Sequence, residues 1–484
     1  MLTDPGHIAT NVAATSAKPC YKLEVCWDGA NWTDETANTV LGFSCRGQII
    51  DPFQGLASMG DAPVGKADIV VDNYDGRFSQ GHSGSHAATY GIYGIGVRLS
   101  AGYYYGATAE YVRVFTGRIM DVTESERGAT AKLTCHDLGS IPMQQKYSTM
   151  IYEGTQINGW IATLATLADV AATDLEQALT VVPYAYLDDD FALDEIKRAA
   201  QSEGGVAFFD ASGTLRFWNA AHWANATSVA TLSVDDYGEL EPRRAYSDIY
   251  NVIAVEYQPR AAGQVDKVHS LDRAIMVRPG GSKELKLKLS SPLARFIEYE
   301  MSACSSGGAD MSANVSVVPT SPDTAASWTA TFSNSHTRHA AYITRFDVYG
   351  EPVQGRPAET HELDQSGSDT PRRKDIRGNW YIQTETQAKL IASVLGQRFK
   401  TLRVALRLSG LPANPLLEVG DVVTVQGTRT GINQTAIVTS RELRGGKSFK
   451  MNLELSDFTS FYPYSGYLVV GTSAIGTSGG RLFA

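Results

Sequence analysis

Hydrophobic and polar residues alternate along much of the first 140 residues, a period of two that is typical of half-buried β-strands. Residues 21–27 show this period as YKLEVCW, and the turn formers DGAN then close the segment as a hairpin. Six short strands separated by turn signals predict a small antiparallel barrel or sandwich. The other five strands are predicted around residues 40–47, 67–71, 97–105, 112–121 and 129–136.

The segment 67–80 contains a β-branched run followed by a cluster of turn formers. It reads ADIVVDNYDGRFSQ, and Gly76 is free to adopt a positive φ angle within the turn. A loop rich in glycine, serine and histidine follows at residues 81–88, and the chain resumes as a strand near residue 96. From these features alone, the segment is an ordinary corner of an all-β domain.

The first clear helical period follows residue 138. Residues 157–171 place apolar side chains three and four positions apart, and residues 190–202 and 384–400 do the same. The second helix is predicted to stop at the Gly-Gly pair 204–205, because glycine commonly ends helices. The strands VAFF and TLRFW then flank the turn DASG. Helix, glycine stop and hairpin together predict a small α+β module.

Strand patterns dominate the rest of the chain. Residues 283–289 alternate lysine with leucine, which predicts a strand with one solvated face. Residues 359–377 are polar and charged, and we predict an exposed connector there. The other strands are predicted at residues 249–257, 315–318, 329–332, 341–349, 403–409, 417–425, 436–442 and 449–455.

Composition and charge exclude several classes of protein. The 484 residues suggest about three domains, and 43% hydrophobic with 19% charged residues excludes a disordered chain. A net charge of −10 argues against a protein that grips nucleic-acid phosphates. No apolar run approaches about 18 residues, and residues 1–18 lack the features of a signal peptide. We therefore expect synthesis in a cytoplasm and no membrane-spanning segment.

The five cysteines form no CxxC pair and no cluster with histidine at zinc spacing. They are Cys20, Cys26, Cys45, Cys135 and Cys304. An odd count without a signal peptide favours reduced, buried thiols. Because Cys20 and Cys26 are an even number of positions apart on one predicted strand, they face the same side, and packing is favoured over a disulfide.

Two groups of side chains are candidates for metal binding. The run Asp188, Asp189 and Asp190 could bind a cation, but it lacks the spacing of an EF-hand loop. Asp190 directly precedes a helical pattern, so we predict that it is the N-cap residue of that helix. His336 and His339 lie three positions apart in a polar turn, and a transition-metal site there is the alternative to a simple turn.

Three further features each have a structural and a functional interpretation. Glycines are spaced along residues 91–96 without a following helix, which argues against a nucleotide-binding loop. The basic cluster Arg372, Arg373 and Lys374 predicts a solvated loop, with docking on an acidic partner as the alternative. The tyrosines at residues 103–105 favour a barrel wall or subunit contact over a sugar-stacking surface. We predict no catalytic, cofactor-binding or metal-binding residue and no cofactor.

The order of several segments resembles the minor tail and baseplate-hub proteins of long-tailed bacteriophages. The resemblance spans most of residues 20–457. It is carried by DNYDGRFS at 72–79, VFTGRI at 114–119, the helix, Gly-Gly and hairpin of 190–218, NVIAVEY at 251–257, an insertion ending near 341–353, and LEVGDVVTV at 417–425.

This resemblance implies a mainly β fold with a small α+β part. It implies two tube-type antiparallel β-barrels, a helix–hairpin module between them and a β-rich insertion in the second barrel. The N-terminal arm is expected to be mobile or to order on a neighbour. The implied parts are the arm 1–18, the first barrel 19–138, the module 139–245, the second barrel 246–260 plus 401–457, the insertion and connecting helix 261–400, and the C-terminal tail 458–484.

The resemblance also implies a structural virion protein rather than an enzyme. Such a hub is a homotrimer at the distal end of the tail, in which two barrels per chain make a pseudo-sixfold ring that closes and continues the hexameric tail tube. The implied partners are tail tube and distal tail proteins, the tape-measure protein and tip or fibre proteins. Genomic DNA would pass through the lumen.

Two other functions remain open at this point. The first is a receptor- or carbohydrate-binding tail-tip protein that acts through residues 261–385 of the insertion. The second is a cell-wall hydrolase, which predicts activity on peptidoglycan in a zymogram.

Overall fold

The computed structural model describes residues 1–12, 17–36, 40–50, 62–140, 145–244, 246–319, 323–400 and 402–457. Strands far outnumber helices within this part of the chain, which confirms the predicted mainly β fold with a small α+β part. The predicted C-terminal tail, residues 458–484, lies outside the described residues.

The N-terminal region forms seven antiparallel strands in the order β3-β4-β7-β6-β5-β1-β2. Strand β6 is longer than the sequence pattern predicts, because its hairpin with β5 continues to the pair Tyr105 and Thr108. The elements are α1 (Ile8–Val12), β1 (Pro19–Cys26), β2 (Thr33–Asp34), β3 (Val40–Gln48), β4 (Lys66–Asp72), α2 (His86–Tyr90), β5 (Gly96–Tyr105), β6 (Thr108–Ser125) and β7 (Thr130–Asp137).

The N-terminal residues pack on their own chain. Ile8 is fully buried in the core of the sheet. His7 stacks on Tyr105 with ring centroids 3.6 Å apart, and its Nδ1 lies 2.9 Å from the carboxylate of Glu110. The described part of the predicted arm therefore contacts its own chain, and its mobility or binding to a neighbour stays a prediction.

The module contains two helices that pack on small sheets. Helix α3 ends earlier than predicted because Asp169 adopts a φ of 53°, which turns the chain out of the helix. The elements are β8 (Lys146–Ser148), β9 (Tyr152–Gln156), α3 (Ile157–Leu167), β10 (Thr173–Leu175), β11 (Val181–Ala185), β12 (Asp188–Phe191), α4 (Ala192–Gln201), β13 (Val206–Phe209) and β14 (Leu215–Trp218).

The insertion consists of two sheets that share one hydrophobic core. Strand β25 pairs with β18, β19, β20 and β22, while β24 lies between β21 and β23. Trp328, Phe332 and Phe346 are buried between the two sheets. The elements that lead into and form the insertion are β15 (Ala230–Leu232), β16 (Glu239–Arg243), β17 (Val252–Tyr257), β18 (Arg260–Ala262), β19 (Asp266–Ser270), β20 (Ile275–Val277), β21 (Ser282–Lys288), β22 (Leu293–Cys304), β23 (Val315–Pro319), β24 (Ser327–Asn334) and β25 (Ala341–Gly355).

The last helix begins with a capping box, in which the Thr384 hydroxyl accepts a hydrogen bond from the Gln387 N–H and the Gln387 side chain accepts one from the Thr384 N–H. The remaining elements are β26 (Glu359–Asp364), β27 (Arg373–Ile376), α5 (Glu385–Phe399), β28 (Ala405–Pro412), β29 (Val422–Gly427), β30 (Ile432–Gly445) and β31 (Lys450–Asp457). Among the described residues, 3₁₀ turns lie at Leu138–Ser140, Tyr246–Asp248 and Ser312–Asn314.

Two predictions about pairing are wrong. The strand expected within 246–260 as part of the second barrel is β17, and it pairs with β26 and β27 instead of with the strands of 401–457. The stretch 359–377, expected as an exposed connector, supplies both of those partners. The reason is helix α5, whose Ile391 and Leu395 bury Ile253 and Val255 and so make β17 the centre of a separate small sheet.

The strands that do pair beside β28 and β29 are β16 and β15. They fall within residues 139–245, which the sequence assigned to the module. Both strands are short and partly exposed, and they contain charged or small residues. Their hydrophobic alternation is therefore weak.

Strands β1 to β7 meet β15, β16 and β28 to β31 in one sheet, which has thirteen strands within the described residues. Strand β3 pairs with β30 in antiparallel register, from Phe43 opposite Gly445 to Gln48 opposite Ser440. The apolar side chains of both halves form a single core. Within the described residues the sheet is an open path between β2 and β16, so the predicted number of barrels stays a prediction.

The corner after β4 is held together by one asparagine. The Asn73 side-chain Oδ1 accepts from the Phe78 N–H at 2.8 Å, and its Nδ2 donates to the Ser79 hydroxyl at 2.8 Å. Phe78 is thereby placed in the core, fully buried. The turn contains Gly76 with a φ of 70°, as its position in the motif predicts.

We predict that Asn73→Ala lowers the free energy of unfolding by about 1–3 kcal/mol, because it leaves the buried Phe78 N–H without its acceptor. The measurement is urea unfolding followed by tryptophan fluorescence. Tyr74→Ala is the matched control, since Tyr74 is the next residue and 88% exposed, and it should be close to neutral. Equal effects of the two substitutions would contradict this assignment.

Candidate functional site

The thirteen-stranded sheet carries a polar surface opposite its apolar core. Along β1, Leu23 and Val25 are buried in the core, while Lys22 and Glu24 alternate with them on the other side. The same alternation continues across the paired strands from β2 to β16. We call this surface the polar face. Its residues are Lys22, Glu24, Asp34, Ser44, Arg46, Lys66, Asp68, Arg98, Ser100, Arg113, Thr116, Arg118, Lys132, Thr134, His136, Glu241, Arg407, Ser440, Glu442, Arg444, Lys450, Asn452 and Glu454.

In the N-terminal half of the polar face, Glu24 is the central acceptor. Its carboxylate forms ion pairs with the Lys22 ammonium at 2.9 Å and with the Arg113 guanidinium at 3.2 Å. The Arg98 guanidinium stacks over the Trp32 ring at 3.8 Å. Burial lowers the pKa of Arg113, and the neighbouring positive charge of Arg98 lowers it further. These cations are thus already matched by a carboxylate or an aromatic ring.

In the C-terminal half, two glutamate carboxylates accept hydrogen bonds from side chains on four strands. Glu454 accepts from Arg46 at 3.0 Å and from Arg407 at 3.3 Å. Glu442 accepts from the Ser44 hydroxyl at 2.9 Å, and also from Arg444 and Asn452. Hydrogen bonds from these three side chains lower the pKa of Glu442, although its burial opposes them. The lowered pKa keeps Glu442 ionised at neutral pH. The network crosses the β3–β30 pairing.

The polar face therefore displays both signs of charge with most cations paired to carboxylates. Cations paired in this way are less available to a phosphate backbone, whereas Lys66, Arg118 and Lys450 have no ion pair among the described residues. Its two end strands are short or interrupted: β2 has two residues, and β16 contains Pro242 between charged residues. Such edges resist uncontrolled strand addition.

A cavity lies where the large sheet meets the helix–hairpin module. It is lined by residues of three separate parts of the chain, among them Asp137, Asp210, Arg216, His222 and Arg441. Asp210 accepts from the Arg216 Nε at 2.7 Å and from the backbone N–H of Thr214 at 3.0 Å. His222 Nδ1 lies 2.5 Å from the Glu176 carboxylate. Arg441 donates to the Leu417 carbonyl. The Asp210 contacts hold the β13–β14 hairpin in shape, whereas those of His222 and Arg441 join segments that are farther apart in the chain.

The close approach of module and sheet requires a glycine at residue 420. Gly420 has a φ of 88°, and a Cβ there would lie 2.2 Å from the Trp218 ring. The Trp223 indole N–H donates to the Gly420 carbonyl at 2.9 Å. The LEVGDVVTV motif thus marks the point at which the module packs on the second half of the sheet.

Two buried carboxyl groups accept hydrogen bonds from backbone N–H groups in this part of the structure. Asp137 accepts from the Gly65 N–H at 2.5 Å and from the Gly139 N–H at 2.8 Å, and burial raises its pKa to about 7. Glu203 accepts from the Thr180 N–H at 2.6 Å and the Leu179 N–H at 3.1 Å, and burial likewise raises its pKa to about 7. Both are structural acceptors for backbone N–H groups.

The N-cap prediction for Asp190 is wrong. Helix α4 begins at Ala192 with Phe191 as its N-cap residue, because Asp188–Phe191 forms strand β12 against β8, with an irregularity at Asp189, whose φ is 63°. Asp189 instead pairs with Lys146 at 2.9 Å. No group of three or more His, Cys, Asp or Glu side chains that could hold a metal occurs among the residues the structure describes.

The other singled-out residues have mostly local partners. His336 Nδ1 accepts from the backbone N–H groups of Arg338 and His339, so it shapes the turn. Arg373 pairs with Glu362 and Asp375 across the β17 sheet. Tyr103 is buried and donates to the Ala413 carbonyl at 2.6 Å, whereas Tyr105 is exposed.

The five cysteines are free thiols. Cys304 is intermediate in exposure and the other four are buried. Burial raises the pKa of the Cys20 and Cys45 thiols to about 11, which keeps them protonated.

Sequence reasoning did not identify the polar face. The signal was present as charged residues at every second position of predicted strands, for example Lys22 and Glu24, or Glu442 and Arg444. Which strands are neighbours decides whether such charges pair, and the β3–β30 contact joins residues about 400 positions apart. No local pattern encodes that contact.

The similarity to known proteins extends over most of the chain. No protein-family model and no curated protein matches the chain. Among solved structures, it is similar to the 43 kDa tail protein of prophage MuSo2 from Shewanella oneidensis, with a TM-score of 0.52 and 10% identity over 92% of this chain and 99% of that one. It is also similar to the tail protein from Neisseria meningitidis MC58, with a TM-score of 0.50, 10% identity and the same coverage of 92% and 99%.

At this level of identity the likeness shows the fold. The chain therefore has the fold of these two tail proteins, which confirms the fold relationship that the sequence motifs implied. Within the described residues, no helix has the length and apolar character needed to cross a membrane.

We predict that the stability of the protein falls as pH rises from about 5 to about 7. The usual pKa is 3.8 for Asp137 and 4.5 for Glu203, and both are raised to about 7 in the folded state. Between these values the folded state binds more protons than the unfolded state, so each group lowers stability with increasing pH by up to about 1.4 kcal/mol per pH unit. Urea unfolding at several pH values measures this slope.

The variants Glu203→Gln and Asp137→Asn should each flatten the slope over this range. The control is Asp28→Asn: the Asp28 carboxylate is exposed and has a pKa of about 2, so it is ionised in both states throughout. A slope that neither core variant changes would show that these carboxyls are not protonated in the folded protein.

Proposed function

Since the chain has the fold of two tail proteins, we propose that it is a structural component of a phage tail. More specifically, we propose a trimeric hub at the distal end of the tail. In this role it closes and continues the hexameric tail tube, organises the tail tip and gates the passage of DNA. It is made in the host cytoplasm and incorporated into the virion.

The observation that supports this proposal most strongly is the composition of the large sheet. The N-terminal half supplies seven strands, and β15, β16 and β28 to β31 supply the other six. The two halves share one core and meet at the β3–β30 pairing. Three copies of such a chain would place six sheet halves around a common axis. A hub with threefold symmetry could then continue a tube with sixfold symmetry.

The polar face fits the wall of a channel through which DNA moves. Lys22, Arg113, Arg46 and Arg407 all have carboxylate partners. Because counterion release from phosphates requires unneutralised cations, such a wall would bind DNA weakly and allow it to slide. We therefore assign the polar face to the lumen of the ring.

The remaining partners follow from this arrangement. Tail tube and distal tail proteins would contact the rim of the ring, and the tape-measure protein would end inside it. Tip or fibre proteins would attach on the outer side, where the insertion projects.

One observation favours a second function, a receptor- or carbohydrate-binding tail-tip protein. The insertion has its own hydrophobic core, separate from that of the large sheet. Its first and last strands, β18 and β25, pair at Arg260 and Gly355, so it leaves and rejoins the chain at adjacent points. Such a unit can carry a binding activity without taking part in the ring.

A phage lacking the gene for this chain tests the hub directly, and we expect it to make no normal tails. Complementation should use two chains: the intact protein, and a variant in which a short linker joins Arg260 to Gly355 in place of the insertion. Because those two residues are paired, the linker leaves the rest of the fold in place. The hub proposal expects tails from both, scored by electron microscopy.

Normal tails in the absence of the gene would contradict the hub. If such tails also failed to adsorb to cells, the receptor-binding function would replace it. Loss of adsorption with the shortened chain alone would add that function to the hub.

A further inference from the structure

The insertion contains an open cleft between its two sheets. Strands β19 and β20 lie on one side and β21 on the other, and the cleft between them encloses about 960 Å³. At one end it is closed by two hydrogen bonds, from His269 Nδ1 to the Lys288 carbonyl at 2.9 Å and from the Ser290 N–H to the Val268 carbonyl at 2.8 Å. At the other end β20 continues into β21 through a turn.

The edge of β21 that faces the cleft has unused backbone groups. The Leu289 N–H donates to the Ala326 carbonyl, so the odd-numbered residues of β21 bond to β24. The even-numbered residues then direct their N–H and C=O groups away from β24, as the Lys288 carbonyl does. Within the described chain, the Glu284 and Lys286 N–H groups have no backbone partner on that side.

The rim of the cleft is basic. Arg273, Lys283, Lys286 and Lys288 line it, and none of them forms an ion pair among the described residues. Asp272 is the one acidic residue in the lining. The chain has a net charge of −10, and most cations of the polar face are paired, so four cations around one cleft without an ion pair among the described residues are a local excess of positive charge.

The floor of the cleft is apolar. Leu271 and Leu285 are partly buried against the core of the insertion, and Ile275 and Leu287 belong to that core. The cleft thus combines a strand edge, an apolar floor and a basic rim.

We propose that this cleft binds an extended, acidic segment of a partner polypeptide, which adds as a strand to the edge of β21. The partner backbone hydrogen-bonds to the even-numbered residues of β21, its carboxylates meet the rim cations, and its alternate apolar side chains cover the floor. Five residues of edge, 283–287, span roughly 16 Å, which accommodates about five residues of the partner. An anionic polysaccharide would satisfy the cations but would leave the strand edge unused.

The probe is a fluorescein-labelled ten-residue peptide of alternating glutamate and valine, measured by fluorescence anisotropy with the full-length protein. We expect saturable binding that the double variant Lys283→Glu/Lys286→Glu weakens at least tenfold. The matched control is Lys447→Glu/Lys450→Glu, which makes the same change of charge at exposed residues of the β30–β31 hairpin and should leave binding within twofold.

A second pair of variants tests the strand edge itself. Lys286→Pro removes the N–H that faces the cleft and keeps the bonds of residues 285 and 287 to β24, whereas Lys286→Gln removes only the charge. We expect the proline variant to bind the peptide at least fivefold more weakly than the glutamine variant, with both showing the thermal unfolding midpoint of the parent.

Three results would overturn the proposal. The first is an equal loss of binding in the control pair at 447 and 450. The second is equal binding by the two Lys286 variants together with full competition by dextran sulfate, which would indicate an anionic polymer site. The third is the absence of saturable peptide binding by the parent protein. If the proline variant does not fold, the charge-reversal pair and the dextran sulfate competition decide between these outcomes.

Discussion

The pairing of β3 with β30 is the contact on which the rest of the structure depends. It joins residues near 45 to residues near 440, and it merges two groups of strands into one sheet with one core. The module packs beside the place where the two halves meet. The insertion leaves and rejoins the chain at paired residues of its own. A contact of such long range is slow to form, because the chain entropy of closing the loop must be lost before the contact contributes. The module and the insertion have cores of their own, so they can fold before the sheet is completed.

Electrostatics support this architecture differently in the interior and on the surface. In the interior, Asp137 and Glu203 are desolvated and accept from backbone N–H groups. Asp137 holds the segments next to β4 and β7, and Glu203 holds the segment before β11 inside the module. On the polar face, Glu24, Glu442 and Glu454 each hold more than one donor, so cations from several strands are neutralised in small networks. Isolated surface ion pairs contribute little to stability. These networks matter for the surface charge instead, because they leave both signs of charge present and pair most of the cations with carboxylates. The cleft of the insertion is the contrasting case, a basic rim without carboxylate partners.

The sequence predicted local structure well and long-range pairing poorly. The corner at Asn73 and Gly76, the hairpin of β13 and β14, and the capped helix α5 follow from residues close together in the chain. Strand β17 shows the limit: its apolar pattern was recognised, but its partners were not, because the charged strands β26 and β27 had the composition of a loop. Asp190 shows the same limit on a smaller scale, since its place in β12 depends on β8 and not on the helix beside it. The polar face could be predicted as alternating charges but not as ion pairs, because neighbouring strands come from opposite ends of the chain.

The central claim is that three copies of this chain form a ring in which six sheet halves surround a channel. The most direct measurement is the native mass of the purified protein at micromolar concentration, with electron-microscopy class averages from the same peak. The account predicts a mass three times that of the chain and threefold particles with a central channel. A monomer that also fails to assemble when mixed with isolated tail tubes would contradict it.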